Sequence, residues 1–263
     1  MPIPEIGRIK IGEKILSRNN KEIPSSLDYF RATGPFATQF HEQFGAKPTK
    51  ILIVFISDNF SDSCNEEYAC WENGKRYGWG DGEIMNVYDP SIKDYRTVSK
   101  DDPLLKGKKW DIMLTLRFVI PEMRGILGHW VFTTKGAKTT IPSIVKAFDF
   151  VKERVGTVVG VPFELSVERA KGYNPGEARQ YSRVKLVPVI SEQYMTKVKE
   201  MLKSGVNITD IAPIMVSEAK LLNEAEIAKL PAAIDIEASS VDDIEEEENK
   251  NKNPKDLFDD GTI

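Results

Sequence analysis

Apolar positions in this chain repeat every second residue over some stretches and at helical spacing over others, and the switches between the two periods mark the elements. Residues 6–24 alternate small apolar with basic residues around Asn19–Asn20, which predicts a hairpin with Ile9, Ile11 and Ile15 pointing inward. Beyond Pro24, Ser25 and Ser26 are candidate caps, and Leu27, Phe30 and Arg31 fall at helical spacing before Gly34–Pro35, so a short helix is expected. A second helix carries Phe36, Phe40 and Phe44 at i, i+4 and i+8 and ends at Gly45; aromatic residues so spaced face a core. Lys50–Ser57 is a continuous β-branched run, the pattern of a strand covered on both faces, and is expected at the centre of a sheet.

Asn73–Gly74 between Tyr68–Trp71 and Lys75–Trp79 is a hairpin signal, because Asn and Gly tolerate the positive φ of a type I′ turn. Gly80–Gly82 reverses the chain again into Glu83–Tyr88, giving a three-stranded meander rich in Tyr and Trp. Lys109–Ile120 alternates almost strictly and Ile126–Thr133 follows as a second strand. Ile141, Ile144, Val145, Phe148, Val151 and Val155 then form a helical stripe with Pro142 in the first turn and Gly156 as the stop. Val161–Val167 and Arg183–Ile190 read as strands joined by an exposed connection containing Gly172, Asn174, Pro175 and Gly176. Ser191 caps a helix ending at Gly205, and 208–230 holds one or two further helical pieces.

The fold class predicted is α+β: mostly antiparallel β-sheet with a few packed helices and a disordered acidic C-terminal tail. Residues 1–192 are expected to form the mixed body, 193–234 a helical extension, and 235–263 the flexible tail.

Charge sharpens that division. The net charge of −4 hides eleven acids against three lysines in 235–263, a local −8 that leaves +4 on residues 1–234. A mildly basic body with an acidic end fits a protein that meets nucleic acid or a basic partner. The longest apolar stretch, Ile51–Ile56, is far short of a membrane span, and the first fifteen residues lack an apolar signal core, so a cytoplasmic location is expected. Cys64 and Cys70 have no cluster of further ligands around them and are expected as reduced thiols.

Catalytic patterns are sparse. His41 and His129 are the only imidazoles and neither sits in a recognisable nucleophile or general-base motif. No phosphate-cradling glycine loop occurs. Asp58 and Asp62, just past a strand, have the placement of magnesium ligands, yet a solvated turn explains them equally and a third acid is not fixed. No catalytic residue, metal or cofactor is therefore expected, and the chain reads as a binding protein, not an enzyme. The basic, aromatic-interleaved stretch 169–185 is the better lead: Arg169, Lys171, Tyr173, Arg179, Tyr181, Arg183 and Lys185, with Tyr77 and Trp79 of the meander, are candidates for binding nucleic acid or a partner. The alternative is the ordinary polar face of a strand. In the tail, Leu257 and Phe258 are an apolar pair framed by acids and are candidates for a partner contact.

The ordered segments GRIKIGEK, EIPSSLDYFRATG, PTKILIVFISD, SCNEEYACWENGKRYGWGDGE, LRFVIPEMRGILGHWVFTTKG, TTIPSIVKAFDFV, VPFELSVERAK and RVKLVPV resemble the phage and prophage recombination directionality factors that act with serine integrases. The resemblance spans roughly residues 5–192. It implies a non-enzymatic protein that binds the integrase on attachment-site DNA, directly or through the integrase, and turns it from integration toward excision in a bacterial host cell. Relatives carry extra cysteines between the meander and the strand matching Lys109–Ile120, consistent with a small zinc insert; this chain has KDDPLLKGKK there and no cysteine. The alternative function is a phage single-stranded DNA-binding protein whose acidic tail recruits partners.

Overall fold

Turn residues and strand alternation build the first two strands. The computed structural model describes residues 3–230 apart from 17–19, 21, 124, 175–176, 223 and 228. Glu5–Leu16 (β1) and Glu22–Thr33 (β2) pair antiparallel. Along β1 Ile9 is buried, Ile11 half-buried and Ile15 exposed, so the inward face expected for all three holds only near the body. The helix expected after Pro24 is instead strand β2. The register jumps from Lys10↔Arg31 to Gly12↔Ser26, so residues 27–30 bulge opposite Ile11 and send both Leu27 and Phe30 into the core. A bulge puts two core residues three apart, which imitates helical spacing.

Ala37–Phe44 (α1) follows as predicted, with Phe40 buried between Phe44 at 4.9 Å and Trp130 at 5.5 Å. Lys50–Val54 (β3) buries Ile51 and Ile53. It lies at the end of a three-stranded sheet, not at the centre of one; on its outer edge it has a single bridge, Val54↔Val119, and its second-face residues Leu52 and Val54 are only half-buried.

The short helix Phe60–Ser63 (α2) leads into a meander of four strands, one more than expected: Cys64–Glu72 (β4), Lys75–Gly80 (β5), Ile84–Asp89 (β6) and Asp94–Ser99 (β7). Asn73 and Gly74 take φ of 50° and 76°, as the first turn requires. Then come Asp111–Phe118 (β8), His129–Thr134 (β9), the helix Thr140–Val155 (α3) closed by Gly156 in the left-handed region, Pro162–Asn174 (β10) and Glu177–Pro188 (β11). Glu192–Lys203 (α4), capped by Ser191 as predicted, Ile208–Ala219 (α5) and Glu224–Ile227 (α6) end the described chain.

The strands form an eight-stranded sheet, ordered β2-β1-β9-β8-β4-β5-β6-β7, and a three-stranded sheet, β11-β10-β3. All neighbouring strands run antiparallel except β1 and β9. That parallel pair needs Gly7, because a Cβ there would stand 2.4 Å from the Trp130 ring. The main core lies between the sheets and under α3, and it takes in Met195 and Val198 of α4 and Ile211 and Met215 of α5. A second, smaller core, made of Cys70, Tyr77, Met85, Val87, Val98, Leu105 and Trp110, sits under the meander. The tail 235–263 lies outside the described residues.

Candidate nucleic-acid or partner interface

The stretch read as an exposed connection is a β-ribbon. β10 and β11 pair continuously from Phe163↔Pro188 to Asn174↔Glu177, whereas β3 accompanies β10 only over Pro162–Ser166. The seven pairs from Glu168↔Arg183 outward therefore have no third strand and extend roughly 23 Å. Of the turn-forming residues in that stretch, Gly172 and Asn174 lie within the paired strands. The ribbon's base packs beside β2, where Arg169 Nε lies 3.0 Å from Asp28 Oδ2.

Strand alternation assigns the two faces. Phe163, Leu165, Val167, Val184 and Leu186 are buried on the core side, and the same face continues outward through Arg169, Lys171, Ser182 and Gln180. The opposite face holds Tyr181, 37% exposed, with Arg183 and Lys185, which both engage Glu168 at the base; Lys185 Nζ stands 3.3 Å from that carboxylate. The backbone of Tyr173 pairs with Ala178, and that of Arg179 with Gly172, toward the tip; the side chains of Tyr173 and Arg179 lie outside the described ones. Leu257 and Phe258 lie outside the described residues as well.

Tyr77 and Trp79 do not join this ribbon, which packs on β2 at the other end of the strand order from β5. Nor do they share a surface with each other. Tyr77 is the bulged residue opposite Cys70 and Trp71; it is buried in the small core and its hydroxyl donates to Leu104 O at 2.9 Å. Trp79 lies on the outer face, with the Arg76 guanidinium 4.7 Å from its ring and the Tyr95 ring 5.1 Å away, tilted at 57°. Trp71, 39% exposed, adjoins them with Lys135 at 4.2 Å over its ring. Arg76, Tyr95 and Lys135 were missed in the sequence because they come from three separated segments. The cross-strand registers Trp71↔Arg76 and Tyr88↔Tyr95 bring in the first two, and the end of β9 brings Lys135 over Trp71.

Asp58 has a structural use. Its carboxylate accepts Thr157 Oγ1 at 2.8 Å and the Val158 amide at 2.7 Å, tying the end of β3 to the segment after α3. Asp62 Oδ2 accepts from Ser57 Oγ at 3.0 Å. Among the described residues no group of three or more metal-ligating side chains converges. Cys64 and Cys70 are free and buried, and burial pushes both thiols above the ordinary range. The segment KDDPLLKGKK forms a 3-10 turn, Pro103–Leu105, capped by the Asp102 side chain, and it plugs the small core with Leu105.

A family model described as Gp3-like, recombination directionality factor-like, matches residues 6–189. This range covers both sheets, the small core, the ribbon up to β11 and the main core except for what the chain beyond it adds. No curated protein and no solved structure matches the chain.

Proposed function

The chain belongs to the Gp3-like family of recombination directionality factor-like proteins, and from that premise we propose that it binds a phage serine integrase on attachment-site DNA and favours excision over integration. The family match over most of the body carries the reading. No chemistry of its own is required. A binding protein redirects a recombinase by holding one of its conformations more tightly than another, and reversing a 1:99 ratio takes about 5.5 kcal/mol of differential affinity.

The surface assigned to that contact is the ribbon, with Arg169, Lys171, Tyr181, Arg183 and Lys185 and, toward its tip, Tyr173 and Arg179. From Glu168↔Arg183 outward it has no third strand beside it, and cations lie on both faces of the pair. The outer meander face around Trp79 has the composition of a protein-contact hot spot, Trp and Tyr with Arg. In this reading the ribbon meets DNA or the integrase, and the meander face meets protein.

The test is recombination with purified cognate integrase on attL and attR DNA, with and without this protein, beside a single-strand gel shift at two salt concentrations. Stimulated attL × attR recombination and suppressed attP × attB recombination are expected. Absence of stimulation together with tight, salt-sensitive binding to single strands would replace this reading with the single-strand-binding one.

A further inference from the structure

β1 and β9 pair only from Glu5↔His129 to Ile9↔Phe132, and past that point the two strands diverge. They leave a cleft of about 620 Å³, lined by Arg8–Gly12 of β1, Ser25 and Ser26 of β2, and Val131 and Thr133 of β9. Its size is that of a small-molecule site. The lining combines two cations and three hydroxyls with an apolar wall of Ile9, Ile11 and Val131, and among the described residues it holds no carboxylate.

The charges around the cleft do not balance. Arg8 and Lys10 stand two residues apart on one face of β1, and Lys10 lies directly opposite Arg31 in the ladder with β2. Like charges so placed repel. Glu5 holds Arg8 through Nε and Nη2, at 2.7 and 3.0 Å, and Glu13 reaches Arg31 Nη1 at 3.2 Å. Lys10 is exposed, and its ammonium has no hydrogen bond or ion pair among the described residues, so three cations stand against two acids. An anion in the cleft supplies the missing charge and meets the guanidinium N–H groups of Arg8 that Glu5 leaves over. We propose that the cleft between β1 and β9 binds a nucleoside phosphate, with its phosphate on Lys10 and the hydroxyls of Ser26 and Thr133, and its sugar and base against Ile11 and Val131. A neutral ligand would leave the Lys10 charge unanswered, and inorganic phosphate would leave the aliphatic wall wet. The site lies outside both the ribbon and the meander face, and its assignment is independent of the integrase reading.

Equilibrium dialysis of the full-length protein against radiolabelled dTMP, thymidine and inorganic phosphate tests it, beside fluorescence anisotropy with a labelled oligothymidylate strand. Lys10→Glu is expected to weaken binding of the phosphate-bearing probe by about tenfold or more, the order of one lost charge-assisted hydrogen bond, with an unchanged melting temperature. Thr133→Val is expected to weaken it less, and Lys10→Arg to retain it. Binding of dTMP well above that of thymidine and of inorganic phosphate supports a free nucleotide as the ligand. Strand binding that Lys10→Glu abolishes and Arg169→Glu with Lys171→Glu leaves in place supports the same site with DNA as the source of the phosphate. The proposal is overturned if no probe binds, if binding ignores Lys10→Glu, or if thymidine binds as tightly as dTMP. Inorganic phosphate binding as tightly as dTMP would reduce the cleft to a bare anion site and overturn the nucleoside assignment.

Discussion

Glu122, in the turn between β8 and β9, holds its Oε2 buried without a hydrogen-bond partner, and Lys220 Nζ stands 3.7 Å from its other oxygen. Burial raises its carboxyl above the ordinary range, outweighing the lysine's opposite effect. The folded-state value therefore exceeds the unfolded one, so this group favours the fold most below the unfolded carboxyl value near ~4.3, and the contribution is lost as pH rises through the raised folded value. At neutral pH the ionised group opposes folding. Glu122→Gln is expected to raise stability at pH 7 by about 1 kcal/mol, the order of one poorly satisfied buried polar group, with the gain shrinking toward pH 4; urea midpoints at the two pH values measure it. Nothing in the motif PEMRG announces this, since the cation beside Glu122, Lys220, arrives from about a hundred residues away. By contrast Phe40, Asn73, Gly74, Gly156 and Ser191 were legible, because each does its work within its own helix or turn.

At the scale of elements, strands and helices that bury one face could be read and those without a buried face could not. Lys109–Ile120 and the stripe from Ile141 to Val155 show their periods because a core selects every second or every third and fourth residue. Strand β7 buries only Val98, and the outer ribbon buries nothing described, so neither has a period for alternation to display. Strand β2 had a period, but the bulge at 27–30 gave it the wrong one. The small core under the meander offers a sharper check. Leu105 is fully buried there beside Cys70, whereas Cys64 belongs to the main core. Leu105→Ala is expected to cost about 2–5 kcal/mol locally. Alkylation followed by peptide mapping under native conditions should then label Cys70 well before Cys64, and simultaneous labelling would show that the two cores open as one.

For the whole molecule, the arrangement of surfaces matters more than any one of them. Two sheets share a core and are stitched by the reciprocal hydrogen bonds of Val54 and Val119, both 2.9 Å, while the ribbon leaves at one end and the meander closes the other. That separation was not legible in the sequence, where Trp79 and Arg169 look like parts of one basic, aromatic surface; the order in which strands assemble puts them apart. Arg169→Glu with Lys171→Glu is expected to lower excision stimulation at least tenfold while thermal stability changes little, since the one ion pair lost among the described residues, Arg169 with Asp28, is exposed and worth at most about 1 kcal/mol. A fall in stability comparable to the loss of stimulation would instead make these residues structural. No described helix is long and apolar enough to cross a membrane.

The continuity of β10 and β11 from core to tip has one more effect. A slip of a single residue between them would turn Val184 and Leu186 to water and drive Arg183 and Lys185 into the aliphatic interior, so the oily half of the hairpin forbids it. The outer half inherits that prohibition without contributing to it. Substitutions in that outer half therefore leave the facing of its two sides in place, because the register is held at the base by Val167, Val184 and Leu186.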